Sequence, residues 1–595
     1  MRNLRRVILR YSEGSACPGI QARSFGVPQD DIARPLVRSG HAFIDVLAVS
    51  LVAILAACVC LRWMGIDQIH VNGANDQSGY IAAARSLAET GHITGHKIYP
   101  SFLLQHASKS VFYMPGFYVC LAGSYKLFGF GVFQSLLPSL IGFVIAAICT
   151  CLIARRFYGR RVGWLAAGLF IFFPANLFYA CTAMSEMTVT ATAAMALCAF
   201  VYLSPRARLF IGPILAVIPF LFRDTNAFIV VPMAVLVWAD RSQVSHRWLR
   251  AALFLMASVL VLSIVNFSPI VAGRPSFIKA AIFNDSPSAA FSDAYALRNV
   301  GTTAADWARA LTDQFFINGR LCLASMFSKF GDHPMPSLLI FWMPMLLLAI
   351  PIGLAWGVYQ RDALAVACAL LMLCAFCFIF AFNGMREKKA LRLVMFGIPL
   401  IAVVAARVSL GLASWLDERL RRSKGSTESR AFRLASVVPL CAACFAFPAV
   451  YSAVIDFREW DGFDAAFTSI LESLHHDDKT LLVGPPGLCQ PYVFKHYPLF
   501  YSFVPTNAAT FDLLRARYTI GTAILESGSA LTPQDLAKAG LKLHHRIIYA
   551  GATVTVYQRP LTNVYAERWP LPDETIPPGF LHMPEPPRAP SKKRR

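Results

Sequence analysis

Residues 41–63 read HAFIDVLAVSLVAILAACVCLRW, and this stretch decides the fold class. A helix needs about 20 predominantly apolar residues to cross the hydrocarbon core of a bilayer, and here they stand as a first span over about 42–64. Ten more apolar blocks follow, near 132–154, 162–181, 183–203, 208–222, 226–239, 250–270, 336–358, 362–382, 391–411 and 433–452. Of 595 residues 56% are hydrophobic and 15% charged, against roughly a quarter charged in a soluble chain. Such a composition excludes disorder over most of the length, which needs low hydrophobicity and high charge, and a soluble multidomain enzyme with it. The expectation is an all-α polytopic membrane protein with about 11 transmembrane helices, extracytoplasmic loops and a small C-terminal α/β domain.

The charge pattern sets the orientation. The 55 Lys and Arg exceed the 34 Asp and Glu, for a net charge of +21. In a soluble protein this excess would suggest nucleic acid, but no recognition motif accompanies it and the cations gather in short loops beside apolar spans. A basic segment at 1–41 places the N-terminus in the cytoplasm; the span after it reads as a signal-anchor. Counting from there, Arg155 to Arg161, Arg206/Arg208, Arg241 to Arg250, Arg361 and Arg419 to Arg433 all fall on the cytoplasmic side. The segment Arg386 to Arg392 breaks the rule by falling outside, and Arg223 sits at an outer helix end. The stretch from Pro115 to Phe130 reads either as a re-entrant helix or as part of a further crossing.

The domain organisation follows: a basic N-terminus at 1–41, a transmembrane domain at 42–452 with outer loops 65–112 and 271–335, a small α/β domain at 453–560, and a Pro-rich basic tail at 561–595. The 15 cysteines lie mostly in apolar spans without zinc spacing, so they read as buried hydrophobes. Cys441-Ala-Ala-Cys444 reads as packing, and Leu55-Ala-Ala-Cys58, similar to a lipoprotein cleavage box, as coincidence. The pairs His475-His476 and His544-His545 read as solvated loop and strand edge, because a metal site needs three or four convergent ligands.

Three constellations could carry chemistry. Asp76, in Asn72-Gly-Ala-Asn-Asp76-Gln-Ser-Gly-Tyr80, stands at the start of a helix just past the first span. It either caps that helix or serves as a general base toward a hydroxyl. Glu186, in Ser185-Glu186-Met187, falls at an outer turn between apolar helices, either wet or lining the same cavity. Arg223 with Arg386, Lys388, Lys389 and Arg392 forms a set of outer cations. They either snorkel to lipid headgroups or hold an anionic phosphate.

Tyr113-Met-Pro115-Gly-Phe-Tyr118 followed by Leu127-Phe-Gly129 resembles the aromatic-Pro-Gly stretch of the GT-C glycosyltransferases. The similarity is to the protein mannosyltransferase and lipid A aminoarabinose transferase-like group (glycosyltransferase family 39-like). Asp76-x-x-Gly-Tyr80 resembles that group's first outer loop, and Phe157-Tyr-Gly-Arg-Arg161, Phe172-Phe-Pro174 and Ser185-Glu186 follow its early transmembrane order. Arg392 to Pro399 is similar to its late Arg-containing helix start. The resemblance spans about 40–410 as a pattern and is strongest over 70–230.

The resemblance implies an integral-membrane transferase, inverting if it works by a single displacement. It would take a sugar from a polyprenyl-phosphate donor to a hydroxyl of an envelope glycan, lipid or protein on the extracytoplasmic side. Counting about eleven crossings from a cytoplasmic start leaves the C-terminus outside, and basic cytoplasmic loops without organellar signals point to a bacterial inner membrane, with an endoplasmic reticulum reading second. Asp76 matches the catalytic acid of the first loop, and Glu186 a further outer acid. Arg223, Arg386, Lys388, Lys389 and Arg392 become donor-phosphate candidates, and Tyr80, Tyr113 and Pro115 candidates for the substrate cavity. Many members carry adjacent acids in the first loop; here Gln77 follows Asp76, so no metal site is supported and divalent-metal use stays open. Membrane lipids are expected partners and nucleic acid is not. The rival readings are a lipid or solute transporter or flippase, and a polytopic scaffold. Against transport stand charges at span ends and the lack of repeated halves.

Overall fold

The structure is a computed structural model. It describes residues 39–63, 75–91, 97–98, 114–240, 246–267, 305–306, 309, 312–313, 315–316, 351, 353, 355–360, 362–382, 394–420, 432–461, 474, 480–484, 499–501, 508–517, 519–526, 529, 531–549 and 552–560.

The first apolar stretch is one helix, α1 (Ser39–Trp63), of 25 residues. After it come α2 (Asn75–Thr90), a two-residue strand β1 (Lys97–Ile98), α3 (Pro115–Phe128) and α4 (Val132–Tyr158). α4 stops at Gly159, whose φ of 90° suits a residue without a Cβ and whose N–H donates to the Arg155 carbonyl. The chain turns at once into α5 (Arg160–Ile171). Then come α6 (Pro174–Ala180), α7 (Glu186–Tyr202), α8 (Pro205–Leu215), the short α9 (Val217–Phe220), a 3-10 turn at Asp224–Ile229, α10 (Val230–Ala239) and α11 (Arg247–Phe267). α12 (Ala363–Phe382), a 3-10 turn at Met395–Gly397, α13 (Ile398–Leu420) and α14 (Val437–Asp461) follow.

Five of these helices are long and apolar enough to cross a membrane among the described residues: Ala42–Arg62, Val132–Tyr158, Arg247–Asn266, Met395–Leu416 and Phe432–Tyr451. The expected block at 162–181 is a sixth candidate, but not as one rod. It breaks into α5 and α6 with a 64° bend, because Pro174 lacks an N–H and its ring disfavours helical geometry in the residue before it. Glu186–Tyr202, Asp224–Ala239 and Ala363–Cys377 are shorter apolar helices. Most of the expected block at 336–358 lies outside the described residues. The stretch after Pro115 is α3, whose 14 residues rise about 21 Å, short of the ~30 Å that a crossing requires.

The surface confirms the solvent. Outward positions of α1 carry Phe43, Leu47 and Leu55, those of α11 carry Trp248, Met256 and Leu260, and those of α14 carry Leu440 and Phe445, all exposed. Apolar faces of this extent in water would be an aggregation liability; against lipid they are the expected outer coat. Inside, α4 is the central rod, packed on α7, α5, α1, α3 and α13. The core there includes Phe143, Phe170, Phe178 and Phe200, each fully buried.

A second core lies under a six-stranded sheet. Its strands are β1, β2 (Leu481–Val483), β3 (Leu499–Tyr501), β4 (Ile520–Glu526), β5 (Lys542–Tyr549) and β6 (Ala552–Gln558), in spatial order β1-β3-β2-β4-β6-β5. Helix α15 (Ala508–Arg517) precedes β4, and α16 (Pro533–Lys538) precedes β5 behind a Thr532–Asp535 capping box. The first three pairings are parallel and the last two antiparallel. β1 belongs to the first loop, not to the C-terminal segment. Lys97 and Ile98 pair with Phe500 and Tyr501, so the loop that carries α2 is stitched to the C-terminal sheet.

Candidate active site

The site grows from three elements far apart in sequence. α2 carries Asp76 in its first turn and Tyr80 one turn later. Tyr80 is 2% exposed; its ring meets Phe117 edge-on at 4.9 Å and Tyr118 at 5.7 Å. An edge-on aromatic pair adds about 0.5–1.5 kcal/mol beyond its buried area. The Tyr80 hydroxyl lies 3.1 Å from Ser185 Oγ, across 105 residues of chain.

The second element is the start of α7. Ser185 precedes the helix, and Glu186 opens its first turn, where a carboxylate is favoured by the helix dipole. Glu186 is fully buried, and a buried carboxylate is tolerated only when paired. Arg223 supplies the charge: its Nη2 donates to Glu186 Oε1 at 3.0 Å and to Ser185 Oγ at 3.0 Å. The loop before α7 is pinned from α4, where Ser139 donates to the Met184 carbonyl at 2.9 Å.

The third element is the turn between α9 and the 3-10 segment. Asn226 Nδ2 donates to the Pro219 carbonyl at 2.9 Å and the Val189 carbonyl at 3.3 Å, so this turn is stapled to α7. The Gly116 N–H donates to the Leu221 carbonyl at 2.9 Å. A Cβ on Gly116 would stand 2.6 Å from the Phe222 ring, so only glycine lets the start of α3 come this close. Pro115 occupies the first turn of α3, where its missing N–H costs nothing. The Pro115-Gly116 pair therefore acts as a docking step between Tyr80's aromatic bed and the Arg223 turn.

Four of the residues singled out in the sequence thus converge through side chains or direct backbone packing: Tyr80, Pro115, Glu186 and Arg223. Glu186 and Arg223, read separately as an acid and a phosphate ligand, are one ion pair. Asp76 is placed by its backbone, one helical turn before Tyr80. Tyr113, Arg386, Lys388, Lys389 and Arg392 lie outside the described residues, as does the pair His475-His476. Gln77 is fully buried, and an unpaired carboxylate at that position would be costly to bury.

His544 and His545 lie exposed on β5, at the edge of the sheet. The register shifts between Leu543 and His545, and the two rings come within 4.7 Å. Partial burial and then the neighbouring imidazole push the His544 pKa down. Among the described residues, no three His, Cys, Asp or Glu side chains gather as a metal site would require.

Two buried polar residues, one in the site and one at the far end of α4, escape a reading of the sequence. Ser185 stands in a quoted motif, but its neighbours Tyr80 and Arg223 are visible only in three dimensions. Asp45 is the other, and it has a sequence signal: a single acid inside an apolar span. It is 1% exposed and accepts from Arg155 at 2.5 Å, Arg160 at 2.8 Å and Trp164 at 3.2 Å.

No family model and no curated protein matches the chain. Solved structures to which it is similar include ArnT from Cupriavidus metallidurans in the apo state, at 14% identity over 86% of this chain and 97% of that one, with a TM-score of 0.48. The same protein bound to undecaprenyl phosphate matches at 15% identity over 88% of this chain and 99% of that one, with a TM-score of 0.44. The archaeal oligosaccharyltransferase AglB from Archaeoglobus fulgidus, in complex with an inhibitory peptide and a dolichol-phosphate, matches at 12% identity over 80% of this chain and 69% of that one, with a TM-score of 0.48.

Proposed function

We propose that this chain is an integral-membrane glycosyltransferase. It moves one sugar from a polyprenyl-phosphate donor to an acceptor hydroxyl on the extracytoplasmic face of a bacterial inner membrane. The observation that carries the reading is the convergence of α2, the start of α7 and the Arg223 turn. Residues 80, 185, 186 and 223 join in one hydrogen-bonded cluster, with Asp76 a single turn along α2. The sequence resemblance over 70–230 supports the same assignment.

The chemistry needs no nucleotide outside the cell, since a sugar on lipid phosphate already has a good leaving group. Asp76 takes the proton of the acceptor hydroxyl as that oxygen bonds to the anomeric carbon. The bond from that carbon to the phosphate oxygen breaks, and its electron pair leaves on the phosphate. A single displacement inverts the anomeric configuration. Cations from Arg386, Lys388, Lys389 and Arg392 stabilise the departing phosphate, an electrostatic contribution that is large where water is scarce. Glu186 fixes Arg223 at the edge of the same site, and its charge keeps the guanidinium ordered.

The test is mass spectrometry of envelope glycans and glycolipids from a deletion strain carrying either the wild-type gene or Asp76→Asn. Loss of a single-sugar mass, restored by wild type and at least about 100-fold less by Asp76→Asn, supports the reading and identifies sugar and acceptor together. Full transfer by a normally expressed Asp76→Asn protein sinks the base assignment. Unchanged products with an intact lipid accumulating in the deletion strain point to a transporter instead.

A further inference from the structure

Ser185 stands where a serine ordinarily caps a helix, immediately before α7, yet its side chain makes no capping hydrogen bond. An N-cap serine normally accepts from a backbone N–H two or three residues on. Here Oγ is turned aside to Arg223 and Tyr80.

The polarity of those contacts is constrained. A guanidinium only donates, so Ser185 Oγ accepts from Arg223 Nη2 at 3.0 Å. The 3.1 Å contact with Tyr80 can run either way by distance alone. A hydroxyl that accepts from a cation becomes a stronger donor, because hydrogen bonds in a chain polarise one another. The favoured order therefore runs one way, from Arg223 to Ser185 to Tyr80, and leaves the Tyr80 proton directed beyond the cluster. Tyr80 at 2% and Ser185 at 1% exposure keep competing water out. Helical side chains lean toward the N-terminus and cover the preceding turn. On α2 that preceding turn is the one with Asp76.

We propose that Ser185 is a positioning residue that relays the polarisation of Arg223 to Tyr80, fixing the Tyr80 hydroxyl as a hydrogen-bond donor toward the reacting turn of α2. This deepens the transferase reading and rests on it for the identity of the reacting group. The relay moves no proton in net: it holds one donor in one direction while Asp76 accepts the acceptor's proton.

The experiment uses the full-length protein in lipid nanodiscs, with the polyprenyl-phosphate sugar that the deletion strain accumulates as donor. Ser185→Ala and Tyr80→Phe each lower kcat about tenfold with little change in KM for the donor, and the double variant is no worse than either alone. Ser185→Thr keeps the hydroxyl and restores kcat to within about threefold. Multiplying losses in the double variant, or wild-type kcat in Ser185→Ala, overturn the relay.

A second readout needs no activity. In thermal unfolding, the losses from Tyr80→Phe and Arg223→Lys fall short of adding by more than about 1 °C while Ser185 is present, and add once it is replaced by alanine. Addition in both backgrounds overturns the relay whatever the chemistry. Coupled melting together with full transfer by Asp76→Asn sinks the base assignment instead and leaves the hydrogen-bond chain standing.

Discussion

The two ends of α4 each meet a buried carboxylate, and the two are wired differently. At the Arg155 end, Asp45 of α1 uses both oxygens: Oδ2 accepts from Arg155 and Arg160, and Oδ1 from Arg160 and Trp164. At the Ser139 end, about 24 Å away along the helix, one nitrogen of Arg223 serves both Glu186 and Ser185, and Ser185 passes the contact to Tyr80. The first arrangement gathers many donors on one acceptor and ties α1 to the α4–α5 turn. The second shares one donor nitrogen between two adjacent acceptors at the start of α7 and ends on the helix with Asp76. A buried ion pair is weak evidence for stability on its own. What separates a brace from a working site is where its hydrogen bonds lead.

The contrast can be broken experimentally. Under the transferase reading, Glu186→Gln keeps the shape of the side chain and removes its charge, so Arg223 loses its anchor. Transfer should fall about 100- to 1000-fold while folded protein is still recovered from detergent; near-normal transfer would make this cluster a second brace. Asp45→Ala should do the opposite. It strands Arg155 in a site where its partner was 1% exposed, and the cost should be about 3 kcal/mol, read as a fall in the unfolding midpoint. Surviving Asp45→Ala protein should transfer sugar at the wild-type rate per folded molecule. A variant with unchanged stability would show that the donors simply turn to water.

The smallest effect sharpens the comparison. Gly116→Ala places a methyl 2.6 Å from the Phe222 ring, which must shift and drag the Arg223 turn with it. Overpacking of this kind costs about 1–2 kcal/mol. The loss of transfer should exceed that caused by Gly123→Ala, made in the same helix where nothing lies within 4 Å of the added methyl. Equal effects at the two glycines would mean that the Pro115-Gly116 step does not position Arg223.

Much of this is legible in the sequence, and the limits have physical causes. The apolar stretch at 41–63 is α1, and five of the described strands, β2 to β6, lie within 453–560. The span at 162–181 reads as straight in the sequence because a window average of hydropathy does not register Pro174, while backbone geometry does. Asp45 goes unnoticed there because its three donors come from residues 110 to 119 positions away. β1 cannot be found at all: two residues, Lys97 and Ile98, carry no period, and only their pairing with β3 makes them a strand.

The sequence by itself determined the solvent. Partition into a bilayer is close to a sum over local side chains, so a window of about 20 residues suffices to read it, and the same locality let short motifs nominate Asp76, Glu186 and Arg223. Only the tertiary structure decided that Glu186 and Arg223 are partners, that Ser185 joins them to Tyr80, and that the first loop is sewn into the C-terminal sheet. Those contacts depend on how α2, α4, α7 and the Arg223 turn pack, and packing couples residues that no local window contains.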